Sequence, residues 1–213
     1  MSSERPKLQV ITPNERLQTD SHPTTVFVSG PTDVPWRKEF YEKFWEAYRI
    51  EEQKAHEKQV EQQNQQQEEQ EERGQQVRAG NPNPNPTSAP TTIKIPSLKP
   101  LTFYDPYQPN WDSTWKEDYN TDARYKAQTD WELAHIASST FHVSYFDPRA
   151  KAPVTLLEFG LTAWHKGKDS VLVGCPPGFW KRGNVVAVCQ RRGILVEDSL
   201  DGLVKRLLDR ARE

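Results

Sequence analysis

A glutamate set among apolar residues near the start of a helix is the residue of this chain with the most chemistry to explain. The run from Phe141 to Trp164, FHVSYFDPRAKAPVTLLEFGLTAW, opens as an alternating strand and breaks at Asp147-Pro148. It resumes near Pro153 to Thr155 as a helix, in which Leu156, Leu157, Gly160, Leu161 and Trp164 fall at helical spacing and predict one buried stripe. Glu158 points away from the centre of that stripe. In the first turn of a helix that follows a strand, its carboxylate lies just beyond the C-terminal edge of a parallel sheet, where open α/β folds hold their ligands. A second reading competes. Thr155-Leu156-Leu157-Glu158 matches the S/T-x-x-E capping box, in which the glutamate bonds back to the cap residue's N–H, and a cap is worth about 1 kcal/mol in almost any helix.

Other residues with chemical capacity are spread along the chain. Ser29-Gly30-Pro31 closes a short apolar strand; glycine allows close backbone approach to a ligand and proline fixes the exit direction, although an ordinary βα turn uses the same residues. The segment DPYQPNWDSTWKEDY is dense in aromatics and acids, with Tyr107, Trp111, Asp112, Trp115 and Asp118. Aromatic faces with polar groups between them suit a stacked ring ligand, and equally a surface lid packed on the sheet. Asp130 and Glu132 sit two apart on one helix and therefore on different faces. Asp147 ends the strand before Glu158. Cys175 and Cys189 lack metal-ligand spacing, and nothing in the sequence points to a metal or an organic cofactor.

The elements that must position these groups alternate. Thr25 to Ser29 is a strand, and a helix follows from about Pro35 with Phe40, Tyr41, Phe44, Trp45 and Tyr48 as its apolar face. Beyond Ile50 that face gives way to Gln, Glu and Lys, then to Asn-Pro repeats, so that about 50–98 reads as a low-complexity insertion without a coiled-coil seam. Leu101 to Tyr104 is the second strand, Tyr125 to Ser139 a helix, Phe141 to Phe146 the third strand. Asp169 to Gly174 and Gly193 to Val196 supply the fourth and fifth, Val185 to Cys189 is an untyped apolar run, and an amphipathic helix on Leu200, Leu203, Val204, Leu207 and Leu208 closes the chain. Residues 1–24 read as a flexible arm with at most a short extended piece at Leu8 to Ile11, and 25–213 as a single domain. Strands alternating with helices predict a five-stranded parallel sheet in the order 2-1-3-4-5, flanked by helices, an α/β fold of flavodoxin-like or Rossmann-like type.

TVFVSGPTDV, QTDWELAHIASS and SYFDP…LLEFGLTA, in that order, resemble the nucleoside 2-deoxyribosyltransferase family, in particular a deoxyribosyltransferase-like branch found in fungi and bacteria. The resemblance covers about 26–46 and 101–200. It implies that Glu158 is the nucleophile toward the anomeric carbon of a sugar, and that Ser29, Gly30 and Pro31 line the sugar and base pocket. Trp111 and Asp112 help to cover the site, and Glu132 or Asp130 contacts the base. The resemblance also implies a homo-oligomer in which neighbours complete each other's pockets. One position departs from the pattern: the acid that many members carry six residues before the nucleophile is Ala152 here, leaving Asp147 as the nearest acid to bind the sugar.

Cleavage of an N-glycosidic bond develops positive charge on the sugar, which a carboxylate stabilises and can trap as an ester. The departing base needs a proton or hydrogen bonds. Placement at a helix N-terminus predicts an ionised Glu158 at neutral pH. The expected activity is 2-deoxyribosyl transfer between nucleobases on nucleosides or nucleotides. Hydrolysis through the same nucleophile and a non-catalytic nucleotide-binding module are the alternatives. A net charge of −2 argues against a nucleic-acid polymer or a membrane surface as partner, and two cysteines without a secretory signal point to the cytoplasm.

Overall fold

A computed structural model describes residues 8–13, 23–78, 98–108 and 114–212. Six parallel strands form one sheet: β1 (Leu8–Ile11), β2 (Thr24–Ser29), β3 (Leu101–Tyr104), β4 (Phe141–Tyr145), β5 (Val171–Gly174) and β6 (Val196–Glu197), arranged β1-β3-β2-β4-β5-β6. Their residues are buried on both faces through most of β2 to β5, which is why they read as short continuous apolar or small-polar runs. The five expected strands keep their expected relative order. The sixth is Leu8–Ile11, which lies in the segment read as an arm and pairs with β3 at the sheet edge, Leu8 opposite Leu101 and Ile11 opposite Tyr104.

Among the described residues, five α-helices cover the sheet. α1 (Trp36–Arg78) and α5 (Leu200–Arg212) pack on one face, where Trp36, Phe40, Phe44, Tyr48, Leu203 and Leu207 meet alternate strand residues such as Val26, Val28, Phe103 and Val143. On the other face lie α2 (Ala123–Ser138), α3 (Pro153–His165) and α4 (Arg182–Arg192). The sign of this layering follows from period two: Phe27 and Ser29 point away from Val26 and Val28, toward α2 and α3. The chain reverses direction across the sheet between β2 and β4. Ligands of such folds bind at this switch point, outside the carboxyl ends of the strands.

Several boundaries differ from the sequence reading. α1 continues as helix far beyond Ile50, as its Gln, Glu and Lys content permits, and most of its described side chains between residues 51 and 68 are exposed; residues 79–97 lie outside the described ones. Lys168–Ser170 is a 3-10 turn, so β5 starts at Val171. The untyped run Val185 to Cys189 lies within α4, with Val185 and Cys189 buried, and Gly193 caps that helix in the left-handed region (φ 67°) instead of opening a strand; β6 begins at Val196. The stripe expected on α3 is reversed. Leu157 is 66% exposed and Trp164 59%, whereas Thr155, Glu158, Phe159, Thr162 and Ala163 are buried. Hydrophobic periodicity located a helix correctly and assigned its apolar stripe to the wrong side, because the inner face carries two threonines and a carboxylate.

Candidate active site

Glu158 sits in the second turn of α3, not the first. Pro153 occupies the first helical position and Ala152 is the cap residue, in the left-handed region (φ 49°) with no side-chain cap bond. A capping role for Glu158 is thereby excluded, since Thr155 already lies inside the helix. The side chain turns instead toward the sheet, where Ser29 Oγ at the carboxyl end of β2 donates a hydrogen bond to Glu158 Oε2. Burial pushes the carboxyl up to about 7; the Ser29 bond and the Arg37 guanidinium oppose that rise, and the charge of Glu132 adds to it. The helix N-terminus was expected to favour the ionised form; one turn further in, desolvation opposes it and raises the carboxyl instead.

Glu132 reaches the same place from α2. It accepts a 2.7 Å bond from Gln128 Nε2 and its carboxyl is raised above the ordinary range, chiefly by burial. Gln128 is itself buried, bonds Pro106 O at 3.1 Å and accepts from Gln108 Nε2, so α2 is fastened to the segment after β3 directly beside Glu132. Asp130 is not brought to this place. It lies on the exposed side of α2, tied to Lys126 at 2.6 Å and accepting from Tyr119 Oη at 2.6 Å, which holds its carboxyl below the usual range.

The turn after β2 is held from within. Arg37 Nη2 donates to Gly30 O at 2.9 Å, Arg37 Nη1 to Pro31 O, and Trp36 Nε1 to Pro31 O at 2.8 Å. Gly30 is required by packing: a Cβ there would lie 2.1 Å from Trp36 Cζ2. Arg37 Nε also bonds Asp105 Oδ1 at 3.0 Å, and Asp105 accepts from Tyr41 Oη and the Tyr107 N–H. Neither Arg37 nor Asp105 was singled out from sequence. The available signal was a cation at the head of the stripe Arg37, Phe40, Phe44 and Tyr48, where a charge facing inward needs a buried partner.

Asp147 is buried and fully engaged by its own neighbour: Arg149 donates from its backbone N–H at 2.9 Å, from Nε at 2.9 Å and from Nη2 at 2.6 Å. Those bonds hold its carboxyl below the usual range against the opposing effect of burial. Trp111 and Asp112 lie outside the described residues. A concavity bordered by Thr32, Pro35, Arg37, Lys38 and Tyr107 opens beside the Arg37 clamp. Among the described residues no group of three His, Cys, Asp or Glu is placed to hold a metal ion, and no helix is long and apolar enough to cross a membrane.

What converges at the switch point is thus two carboxyls with raised proton affinity, a serine bonded to one of them, and a buried cation acting on both. No curated protein matches the chain. A family model does: it spans β3, α2, β4, α3 and most of the turn after β5, and so takes in Glu132, Asp147 and Glu158 while stopping short of Ser29 and Arg37. Over residues 88–179 the chain matches the family described as nucleoside 2-deoxyribosyltransferase like.

Proposed function

We propose that this protein acts on the N-glycosidic bond of a nucleoside or nucleotide and transfers the 2-deoxyribosyl group between nucleobases through an ester on Glu158. The observation that carries the reading is the buried Glu158 at the switch point, bonded to Ser29 and close enough to Glu132 for that charge to raise its proton affinity. With its carboxyl near 7, Glu158 is present in both protonation states at neutral pH, and the ionised form is the nucleophile. A Glu158 oxygen forms a bond to the anomeric carbon as the carbon–nitrogen bond breaks, and that electron pair leaves with the base. Glu132, whose burial favours the neutral acid, supplies the proton the base needs. A second base then attacks the anomeric carbon, displaces Glu158 as carboxylate and returns a proton to Glu132.

Ser29 holds the carboxylate in place, while Gly30 and Pro31 contribute their backbone to the pocket wall. Asp147 stays a proposed sugar ligand only through a partner exchange with Arg149, and Trp111 and Asp112 are proposed to cover the pocket. Self-association is proposed through the outer side of α3, where Val154, Leu157, Leu161 and Trp164 are all exposed. A cytosolic setting accords with Cys175 and Cys189, which are buried free thiols.

Incubation with a panel of nucleosides and free bases tests the activity. New nucleosides support transfer. Free sugar without new nucleosides assigns the same nucleophile to hydrolysis. Nucleotide binding by calorimetry with neither product overturns catalysis in favour of a binding module.

A further inference from the structure

Ser144 is the odd hydroxyl of this fold. It is fully buried in β4, and its Oγ has no hydrogen-bond partner among the described residues. A buried hydroxyl without a partner is costly to keep, so its persistence calls for a function. Its position supplies one. Ser144 pairs in register with Ser29 on β2 and with Val173 on β5. Ser29 Oγ bonds Glu158, and Val173 lies in the same apolar cluster as Phe159, the next residue of α3. Strand alternation directs Ser144 to the α3 side of the sheet, as it does Ser29, because Val143 and Tyr145 face α1 and α5. Ser144 and Ser29 therefore project from paired positions of adjacent strands on the same side of the sheet, the side from which Glu158 of α3 reaches Ser29.

We infer that Ser144 is a second hydroxyl donor for Glu158, a positioning residue that bonds the carboxylate's other oxygen once it is ionised. Rotation about the last bond of a glutamate is broad and roughly two-fold, so Oε1 can turn toward β4 without the side chain changing rotamer. Two serines on adjacent strands then bracket one carboxylate at the switch point, fixed by ladder hydrogen bonds on either side. The other groups acting on Glu158 are Glu132 from α2 and Arg37 from α1, and neither is altered by a change at residue 144.

This inference deepens the functional reading above but is tested without turnover. The Glu158 carboxyl is followed by carbon NMR through a pH titration of the full chain, with Glu158→Gln identifying its resonance. Loss of a hydrogen bond to a charged acceptor predicts that Ser144→Ala raises the Glu158 midpoint by about one pH unit. Ser144→Thr, which keeps the hydroxyl, leaves the midpoint near wild type. Ser29→Ala serves as the reference for removing a donor. A Ser144→Ala midpoint equal to wild type, with Ser29→Ala shifted, overturns the inference. Absence of glycosyl transfer in the panel above leaves this titration intact, so the two failures are distinguishable.

Discussion

Arg37 Nε lies 3.0 Å from Asp105 Oδ1, with 9% and 6% of the two side chains exposed, and this pair ties the turn after β2 to the segment after β3. Its guanidinium also serves the carbonyls of Gly30 and Pro31. Arg37→Ala leaves the buried Asp105 carboxylate without its counter-charge and removes the donor to Gly30 O, while Pro31 O keeps Trp36 Nε1, so a loss of about 3–5 kcal/mol is expected. It should appear as a lower urea midpoint with an unchanged slope. Lysine at this position does not restore stability, because a single ammonium cannot fork to three acceptors. A loss under about 1 kcal/mol would show that the pair is not fully desolvated.

Glu158→Gln separates catalysis from stability. The carboxyl has its folded value near 7, above the unfolded value of 4.5, so the folded state holds the proton more tightly. That contribution is fully present below pH 4.5 and is lost as pH rises through 7. Glutamine does not ionise. The variant should therefore melt above wild type at pH 8 and close to it at pH 4.5, by scanning calorimetry at both values. Transfer activity should fall by several orders of magnitude at either pH. Retained activity would remove Glu158 from the reaction.

Much of the fold was legible because short β-branched runs between turn residues identify buried strands, and β2 to β5 are such runs. What remained hidden depends on contacts distant in sequence. Thr155-Leu156-Leu157-Glu158 has the spacing of a cap, yet Pro153 starts the helix two residues earlier and moves Glu158 into the next turn. The α3 stripe was read inward because spacing reveals a face and not what covers it. Val185 and Cys189 are only the buried edge of a helix whose other side is small and polar, too thin a stripe to type from sequence. At the candidate site, Glu158 was singled out by its place on the helix, whereas Glu132 and Ser29 were pointed to by the family resemblance. Arg37 and Asp105, by contrast, meet across 68 residues and neither belongs to a local motif.

His142 sets an acid limit. It stacks on Phe27 at 5.4 Å, has both ring nitrogens buried without a partner among the described residues, and burial depresses its pKa to about 3. The unfolded chain takes up this proton near 6.5 and the folded one near 3, so stability is lost as pH falls through that window. Glu158 acts in the opposite sense at the upper end of the window, which makes the difference between variants the clean measurement. His142→Phe should remain folded and show a shallower loss of stability from pH 6.5 downward, in urea titrations at successive pH values. An identical slope in both proteins would place the acid sensitivity elsewhere.

Val154, Leu157, Leu161 and Trp164 follow three-four-three spacing along the outer side of α3, the pattern of a helix seam awaiting another helix. If a second copy of the chain covers it, Leu157→Glu combined with Leu161→Lys should leave the circular dichroism unchanged and lower the molar mass in solution. Wild type that is monomeric at micromolar concentration would rule this face out as a self-association surface.

α1 runs 43 residues, about 65 Å at 1.5 Å per residue, and most of its described side chains between residues 51 and 68 are exposed. Hydrodynamically, such a rod dominates the friction of the particle. Tumbling and elution volume then report the length of α1 more than the number of subunits, and a monomer will migrate as something heavier. Mass-sensitive light scattering, which is blind to shape at this size, is the measurement by which a monomer and a dimer of this protein are told apart.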